Sequence, residues 1–541
     1  MTDVLWAGAS RDAPGELAPP RARSTSSSVW PLALILASQF VVSLATLHNS
    51  AFQDEALYLY AGTRIVHHWL GGPAPLDHYA TYFSGYPYAY PVIGGFLDML
   101  GGLALARMFS LVCMLGVTSM VYVITNKLFQ RPAAVFASAI FGSTGVVLFV
   151  GRLATFDALC LFLIALAAAM AILGGGGSLW WVMATGPLLV LAIGAKYAGM
   201  LFVLPVLGLL AVVAADCLGW DAAIGRVAAA ASAFVFSLVV AYVVMDKAAL
   251  HAIAGSTTNR AVGLREQRMK LFTHVLQMGG LIWLIALIGL VLLMRHKGRR
   301  LLGLLLFGAS WLAPVYHIYA REPVSLDKHI AYGLFFAVPL AGYALAWLSG
   351  YARQSLSTSD RGYWVAGCVA VLAVFTLGLH QSQVLYGEWA NTSGLSYALH
   401  TQLRNGSGRI MAEDIEVARF DAKDVSQEWQ WNSFYYPFYV TSSKQQLFGD
   451  PALIQAVKDR YYDLVELSFN YFPDKAYFLA QQMAVTRNYD LIAVIPFKNS
   501  YGKGHFFLWR SALNPGQGNF TSVAQVQSKT WFKCTLRVCQ P

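Results

Sequence analysis

Apolar and polar stretches alternate along this chain on the scale of a lipid bilayer. A helix needs about 18 or more apolar residues to cross the hydrocarbon core. Eleven segments meet that pattern: 30–47, 103–126, 133–150, 154–173, 179–195, 197–215, 224–245, 275–294, 301–319, 329–349 and 363–380. Between the first two lies a semi-polar stretch, 48–102, rich in Tyr, Gly and Pro and too broken to span. It reads as a folded surface loop with short helices lying on the membrane. After His380 the pattern becomes that of a soluble mixed domain, 381–541, with strand-like runs at 462–467 and 490–495. The predicted fold class is a polytopic α-helical membrane protein of about eleven spans with a C-terminal α/β domain. An odd number of spans puts that domain on the face opposite the N-terminus.

Composition sharpens this picture. The chain is 57% hydrophobic and 12% charged, against about 25% charged in soluble domains, which excludes an ordinary soluble protein. Residues 1–28 are rich in Pro, Ser and Arg and lack an apolar core. They read as a disordered cytoplasmic tail, not a cleaved signal peptide, and the first span becomes an uncleaved anchor. The transmembrane core is then 29–380.

Basic residues only partly fix the orientation. An inside N-terminus puts Arg21, Arg23, Lys127, Arg131 and the basic run 295–300 in the cytoplasm, as positive-inside bias expects. It also puts Lys247, Arg260, Arg265, Arg268 and Lys270 together outside, so the tally is nearly even. Cys534 and Cys539 are close neighbours, either bridged in an oxidising compartment or two unrelated thiols.

The distribution of polar groups decides between these orientations. With the N-terminus inside, Asp54, Glu55, Arg152, Asp157, Lys196, the loop 256–270 and residues 321–329 gather at the outer face from separate places in the chain. Such convergence marks a site. The acidic pair Asp54 and Glu55 directly follows the first span, where a carboxylate stays hydrated enough to ionise. Each group also has a plainer reading. The acidic pair could cap a surface helix, Asp157 could be an N-cap or partner of Arg152, and Lys196 could snorkel to the interface. The basic loop with Arg260 and Arg265 could bind anionic headgroups. The histidines at 48, 67, 68 and 78 have no metal-ligand spacing, and the glycine run 174–177 lacks the Lys-Ser/Thr of a phosphate loop.

Asp54-Glu55-Ala56-Leu57-Tyr58 resembles the acidic signature of the glycosyltransferase C superfamily, in the branch of protein O-mannosyltransferases and lipid A aminoarabinose transferases. Further matches follow in order: Tyr86-Pro87-Tyr88-Ala89-Tyr90-Pro91 leading to Ala106-Arg107, Gly151-Arg152-Leu153-Ala154-Thr155-Phe156-Asp157, Ala195-Lys196-Tyr197, and Asp327-Lys328-His329-Ile330-Ala331-Tyr332 with Pro339. The resemblance covers most of residues 30–380. Where the aminoarabinose branch has a Lys-Pro-Pro-like element this chain reads Ser84-Gly85-Tyr86-Pro87, and Leu57 stands where that branch has a basic residue. The Trp-Trp-Asp element of oligosaccharyltransferases is absent, since Trp180-Trp181 runs into Val182-Met183.

The resemblance implies inverting transfer of a sugar from a polyprenyl-phosphate donor to an acceptor hydroxyl at the outer face of a bacterial inner or plasma membrane. Asp54 is then the base, with Glu55 its alternate or a sugar-hydroxyl ligand. Asp157 orients the acceptor or binds a divalent cation, the one candidate cofactor. Lys196, Arg260, Arg265 and Lys328 contact the donor phosphate. The partners are the lipid-linked donor, a glycan, lipid or protein acceptor and membrane lipids, with no nucleic acid. A polytopic transporter or assembly partner for a surface polysaccharide, or an inactive scaffold relative, is the alternative.

Overall fold

The computed structural model describes residues 29–79, 83, 85–245, 247, 249–251, 253, 265–355, 361–403, 408–434 and 436–519. The N-terminal tail, Arg260 and the pair Cys534 and Cys539 lie outside the described residues. Eight helices among the described residues are long and apolar enough to cross a membrane. The expected eleven spans are not reached, for two reasons. Trp30–Thr46 and Leu179–Ala195 are apolar but only 17 residues each. The expected segments 103–126 and 133–150 fall largely within one 54-residue element, Tyr90–Ser143, interrupted at Gly101, Gly102 and Gln130. Gly102 has φ +66, in the left-handed region where a side chain is strained. That break sets the opening turns, 90–100, apart from the long apolar helix behind them.

The stretch after the first apolar helix contains the helix Gln53–Trp69. Its first turn carries Asp54 and Glu55, which complement the positive end of the helix dipole. The Phe52 N–H donates to Glu55 Oε2 at 2.8 Å, satisfying a terminal donor. This helix packs against Tyr90–Ser143 through glycines. A Cβ on Gly62 would lie 1.7 Å from the Pro91 carbonyl oxygen, and one on Gly95 would lie 2.2 Å from the Gly62 carbonyl carbon. Only hydrogen side chains permit that approach.

Beyond the last apolar helix, Arg361–Tyr386, the chain forms a separate α/β layer. Its main sheet has the order β2-β1-β5-β7-β6, with β1 Ile410–Ala412, β2 Trp431–Ser433, β5 Leu464–Leu467, β6 Tyr489–Asn499 and β7 Gly502–Ser511. β1 pairs in parallel with β2 and β5, and β7 runs antiparallel to β5 and β6. The strand-like runs read from the sequence are β5 and β6. A two-stranded ribbon of β3 Phe438–Val440 and β4 Gln446–Phe448 lies beside it. Apolar clusters centred on Val465, Phe507 and Trp509 and on Ile410, Leu464 and Leu508 form its core.

This layer is latched to the stretch around helix 53–69. Arg419 Nη1 donates to Asp77 Oδ2 at 2.6 Å, the Tyr79 hydroxyl donates to Glu428 Oε1 at 2.8 Å, and Lys423 pairs with Asp98. Val417 and Phe420 join Tyr58, Tyr60 and Tyr79 in one apolar cluster. The surface loop is thereby held between the helical core and the C-terminal layer.

Candidate active site

Four charges of alternating sign meet at the ends of four helices. Lys328 Nζ donates to Asp54 Oδ2 and lies 4.0 Å from Asp157 Oδ2. Lys196 Nζ donates to Asp157 Oδ1 at 2.6 Å, and Thr155 Oγ1 donates to Asp157 Oδ2 at 3.2 Å. Asp54 and Asp157 are in the first turns of Gln53–Trp69 and Phe156–Gly176, Lys196 caps the end of Leu179–Ala195, and Lys328 is near the start of Leu326–Ser355. The Asp54 side chain is 31% exposed, while those of Lys328, Lys196 and Asp157 are at most 4% exposed. Asp54 is therefore the open end of an otherwise closed ion network.

The helical ends hold these groups by backbone contacts. The Tyr86 N–H donates to the Gly194 carbonyl at 2.9 Å, and a Cβ on Gly85 would lie 2.2 Å from the Ala195 carbonyl oxygen. Lys196 follows directly, its ammonium 4.8 Å from the centroid of the Phe156 ring. The Tyr332 hydroxyl donates to the Asp157 carbonyl at 3.0 Å. Successive helical residues point about 100° apart, so 327, 328 and 329 address three neighbours. Asp327 Oδ1 is 2.5 Å from His274 Nε2, Lys328 reaches Asp54, and His329 Nδ1 is 2.6 Å from His317 Nε2. His317 Nδ1 is in turn 2.7 Å from the Glu322 carbonyl.

Glu55, expected beside Asp54 at the reacting face, is turned inward and fully buried. Arg107 donates to it twice, Nε to Oε1 at 2.8 Å and Nη2 to Oε2 at 2.6 Å. The Ala154 and Phe52 N–H groups donate at 2.7 and 2.8 Å. Arg107 also donates to the carbonyls of Asn49 and Ser50 at 2.8 and 2.9 Å. A bidentate pair with every near donor engaged is a clamp on the loop before Asp54. It leaves no oxygen turned to a ligand.

A divalent cation between Asp54 and Asp157 does not fit this arrangement, because the Lys328 ammonium stands there. Among the described residues no group of three or more His, Cys, Asp or Glu side chains could hold a metal ion. Arg265 is exposed and precedes the helix Arg268–Leu293, where the Glu266 N–H is tied to the Arg321 carbonyl at 2.9 Å. The sequence reading gave no role to Arg107 or to the His274–Asp327 and His317–His329 pairs. The signal was present, since an ionisable residue within an apolar helix demands a partner.

The family model described as dolichyl-phosphate-mannose-protein mannosyltransferase matches residues 65–254, a window that holds Arg107, Asp157 and Lys196 but not Asp54, Glu55 or Lys328. No curated protein matches the chain in sequence. Solved structures match its fold. ArnT from Cupriavidus metallidurans in the apo state superimposes with a TM-score of 0.58 at 16% identity, covering 90% of this chain and 98% of that one. The same protein bound to undecaprenyl phosphate gives 0.59 at 15%, covering 90% and 99%. The archaeal oligosaccharyltransferase AglB from Archaeoglobus fulgidus, in complex with an inhibitory peptide and a dolichol-phosphate, gives 0.53 at 11%, covering 88% and 74%. With its apolar helices and this shared architecture the chain is a multi-pass membrane protein, and its fold is that of the glycosyltransferase C superfamily.

Proposed function

We propose that this protein is a glycosyltransferase that moves one sugar from a polyprenyl-phosphate donor to an acceptor hydroxyl, with inversion, at the outer face of a bacterial inner or plasma membrane. The observation that carries the reading is Asp54. It is the solvent-open carboxylate of a buried ion network, paired to the Lys328 ammonium. The fold shared with structures titled as bound to undecaprenyl phosphate and dolichol-phosphate supports a lipid-phosphate donor.

In the reaction the acceptor oxygen attacks the anomeric carbon. Its proton passes to Asp54. The bond from the anomeric carbon to the phosphate oxygen breaks, and its electron pair leaves with the polyprenyl phosphate. Lys328 holds Asp54 and offers its remaining N–H groups to the leaving phosphate, with Lys196 behind it. Arg265 contacts the same phosphate. Asp157 orders the two lysines, and Glu55 with Arg107 fixes the loop that presents Asp54.

The outer-face assignment is supported by the opposite end of the molecule. Helix Arg268–Leu293 begins beside Asp327 and runs 26 residues, about 39 Å at 1.5 Å per residue, to the basic turn 295–300. Taken by itself, that basic turn favours the cytoplasm by positive-inside bias, which supports an exterior C-terminal layer adjoining Asp54. Purified protein supplied with a panel of radiolabelled polyprenyl-phosphate sugars and a membrane extract as the source of acceptor hydroxyls should transfer label and release polyprenyl phosphate. Absence of release across the panel, or equal release by Asp54→Asn, would overturn the reading.

A further inference from the structure

Arg152 is a buried cation without a counter-ion. The residue is 7% exposed, and its Nε is sealed with no hydrogen-bond partner. Among the described residues its guanidinium makes no ion pair and donates no hydrogen bond. The other buried lysines and arginines described, Arg107, Lys196, Lys328 and Arg419, are each paired with a carboxylate. Asp157, the partner that the sequence offered to Arg152, is taken by Lys196 and Lys328 instead. Arginine does not escape this by losing its proton, and a charge buried alone is costly to folding.

The surroundings do not make up the deficit. Arg152 ends the helix Gly145–Gly151, whose carbonyl end favours a cation. That helix is only 7 residues long, however, and none of its carbonyls accepts from the guanidinium. Tyr386 is neutral, its hydroxyl donating to the Arg152 carbonyl at 2.7 Å. The charged groups close enough to act on Arg152 are Arg107 and Glu55. Glu55 is already filled by Arg107 and by the N–H groups of Phe52 and Ala154. One carboxylate thus stands against two guanidinium groups, and one positive charge is left over. Asp54 and Asp157 cancel Lys328 and Lys196 next door, so nothing in that network offsets it.

Position ties this charge to the proposed reaction. Arg152 precedes Asp157 by one turn between two helices. A strip of rings leads from it to Lys328. Tyr386 and Trp389 have centroids 4.9 Å apart, Trp389 and Phe52 5.1 Å, and the Lys328 ammonium is 5.1 Å from the Phe52 centroid. What the left-over charge calls for is an anion, and the guanidinium fork matches the paired oxygens of a phosphate.

We infer that Arg152 is an anion site and that its ligand is the phosphate of the lipid-linked donor. The inference rests on the transferase reading above and divides the charge of its donor between two cations. A diester of sugar, phosphate and polyprenol arrives with one negative charge, and Arg152 meets it. Cleavage of the bond from the anomeric carbon leaves a second negative charge on the phosphate. Lys328 meets that one, because Asp54 has by then taken the acceptor proton and no longer neutralises it. The first charge is the same in the bound donor and in the transition state, so Arg152 acts on donor binding.

The test uses the full chain in phosphatidylcholine nanodiscs, with Arg152→Met and Arg152→Gln. Without ligand each variant should unfold at or above the wild-type temperature, because a charge buried alone has gone. Each should bind undecaprenyl phosphate at least about tenfold more weakly than wild type. Undecaprenol, which lacks the phosphate, should bind wild type and variants alike. Affinity for undecaprenyl phosphate within about twofold of wild type in both variants would overturn the inference. So would failure of both to fold, since the guanidinium would then have a structural partner. Inorganic phosphate or phosphatidylglycerol that displaces undecaprenyl phosphate from wild type at equal concentration would make the site general and overturn its assignment to the donor. Wild-type protein that binds no undecaprenyl phosphate, yet is stabilised by inorganic phosphate only while Arg152 is present, would sink the transferase reading and leave the anion site standing.

Discussion

The helical core and the C-terminal layer each bury carboxylates, and they satisfy them by opposite means. In the core, Glu55, Asp157 and Asp327 each face a cation or a histidine, as a low-dielectric setting requires. In the C-terminal layer Glu413 is held by backbone N–H groups, while Asp414 and Glu466 have no cation beside them. The first arrangement pairs opposite charges, as the proposed transfer from a lipid phosphate needs. The second satisfies its carboxyl groups by hydrogen bonds in place of a counter-ion. Asp54 lies where the two regions meet.

The largest effect that would break this comparison is at Asp54. Asparagine keeps the shape and can still accept from Lys328, but it cannot take a proton. Asp54→Asn should lower transfer by about 10²–10⁴-fold with folding and donor binding retained. Steady-state turnover within a few-fold of wild type would remove the base from this position. Its neighbour should behave in the opposite way. Arg107→Met leaves Glu55 buried and unpaired, which costs about 3–5 kcal/mol. Loss of folded protein on size-exclusion chromatography is the expected outcome, and Glu55→Gln should do the same more mildly.

The C-terminal layer should answer to pH through Asp414 and Glu466. Asp414 is raised to about 7, above the ~3.9 of an unfolded aspartate, so the folded state binds the proton more tightly. Its stabilising effect is complete below about pH 4 and is lost as pH rises through about 7. At about 1.4 kcal/mol per unit this amounts to at most about 4 kcal/mol, with Glu466 adding in the same direction. Denaturation followed by the fluorescence of the chain's tryptophans, Trp509 of the C-terminal layer among them, should show a lower midpoint at pH 8 than at pH 5. The double variant Asp414→Asn and Glu466→Gln should flatten that difference, and a flat wild-type profile would contradict the uncompensated burial.

How much of this was legible in the sequence differs between the same two regions. Hydropathy located the apolar helices, because lipid as solvent demands uninterrupted apolar length. Two of the expected spans, Trp30–Thr46 and Leu179–Ala195, are apolar helices of 17 residues, at the short end of what crosses a bilayer. In the core, Asp54, Asp157, Lys196 and Lys328 stood out because a charge beside an apolar run is costly unless paired. Their pairing did not, since Lys328 and Asp54 are 274 positions apart. Nor could the sequence separate Asp54 from Glu55, whose side chains diverge only once the helix has formed. The nearness of Asp414 to Glu466 was invisible, because both resemble any surface carboxylates until the pairing of β1 with β5 brings them together.

The smallest effect concerns Lys196, and it decides whether the core's second cation serves the donor or only Asp157. Lys196 Nζ has one hydrogen bond to Asp157 at 2.6 Å and is 3% exposed. A charge-assisted contact to the leaving phosphate would be worth about 1.5–3 kcal/mol, so Lys196→Ala should reduce kcat/KM roughly ten- to a hundredfold. Asp157 would keep Thr155 and the nearby Lys328, so much of the protein should still fold. Rates must therefore be expressed per folded molecule. If the alanine variant is less abundant but turns over normally per folded molecule, Lys196 is the counter-ion of Asp157, and Lys328 is left to meet the phosphate.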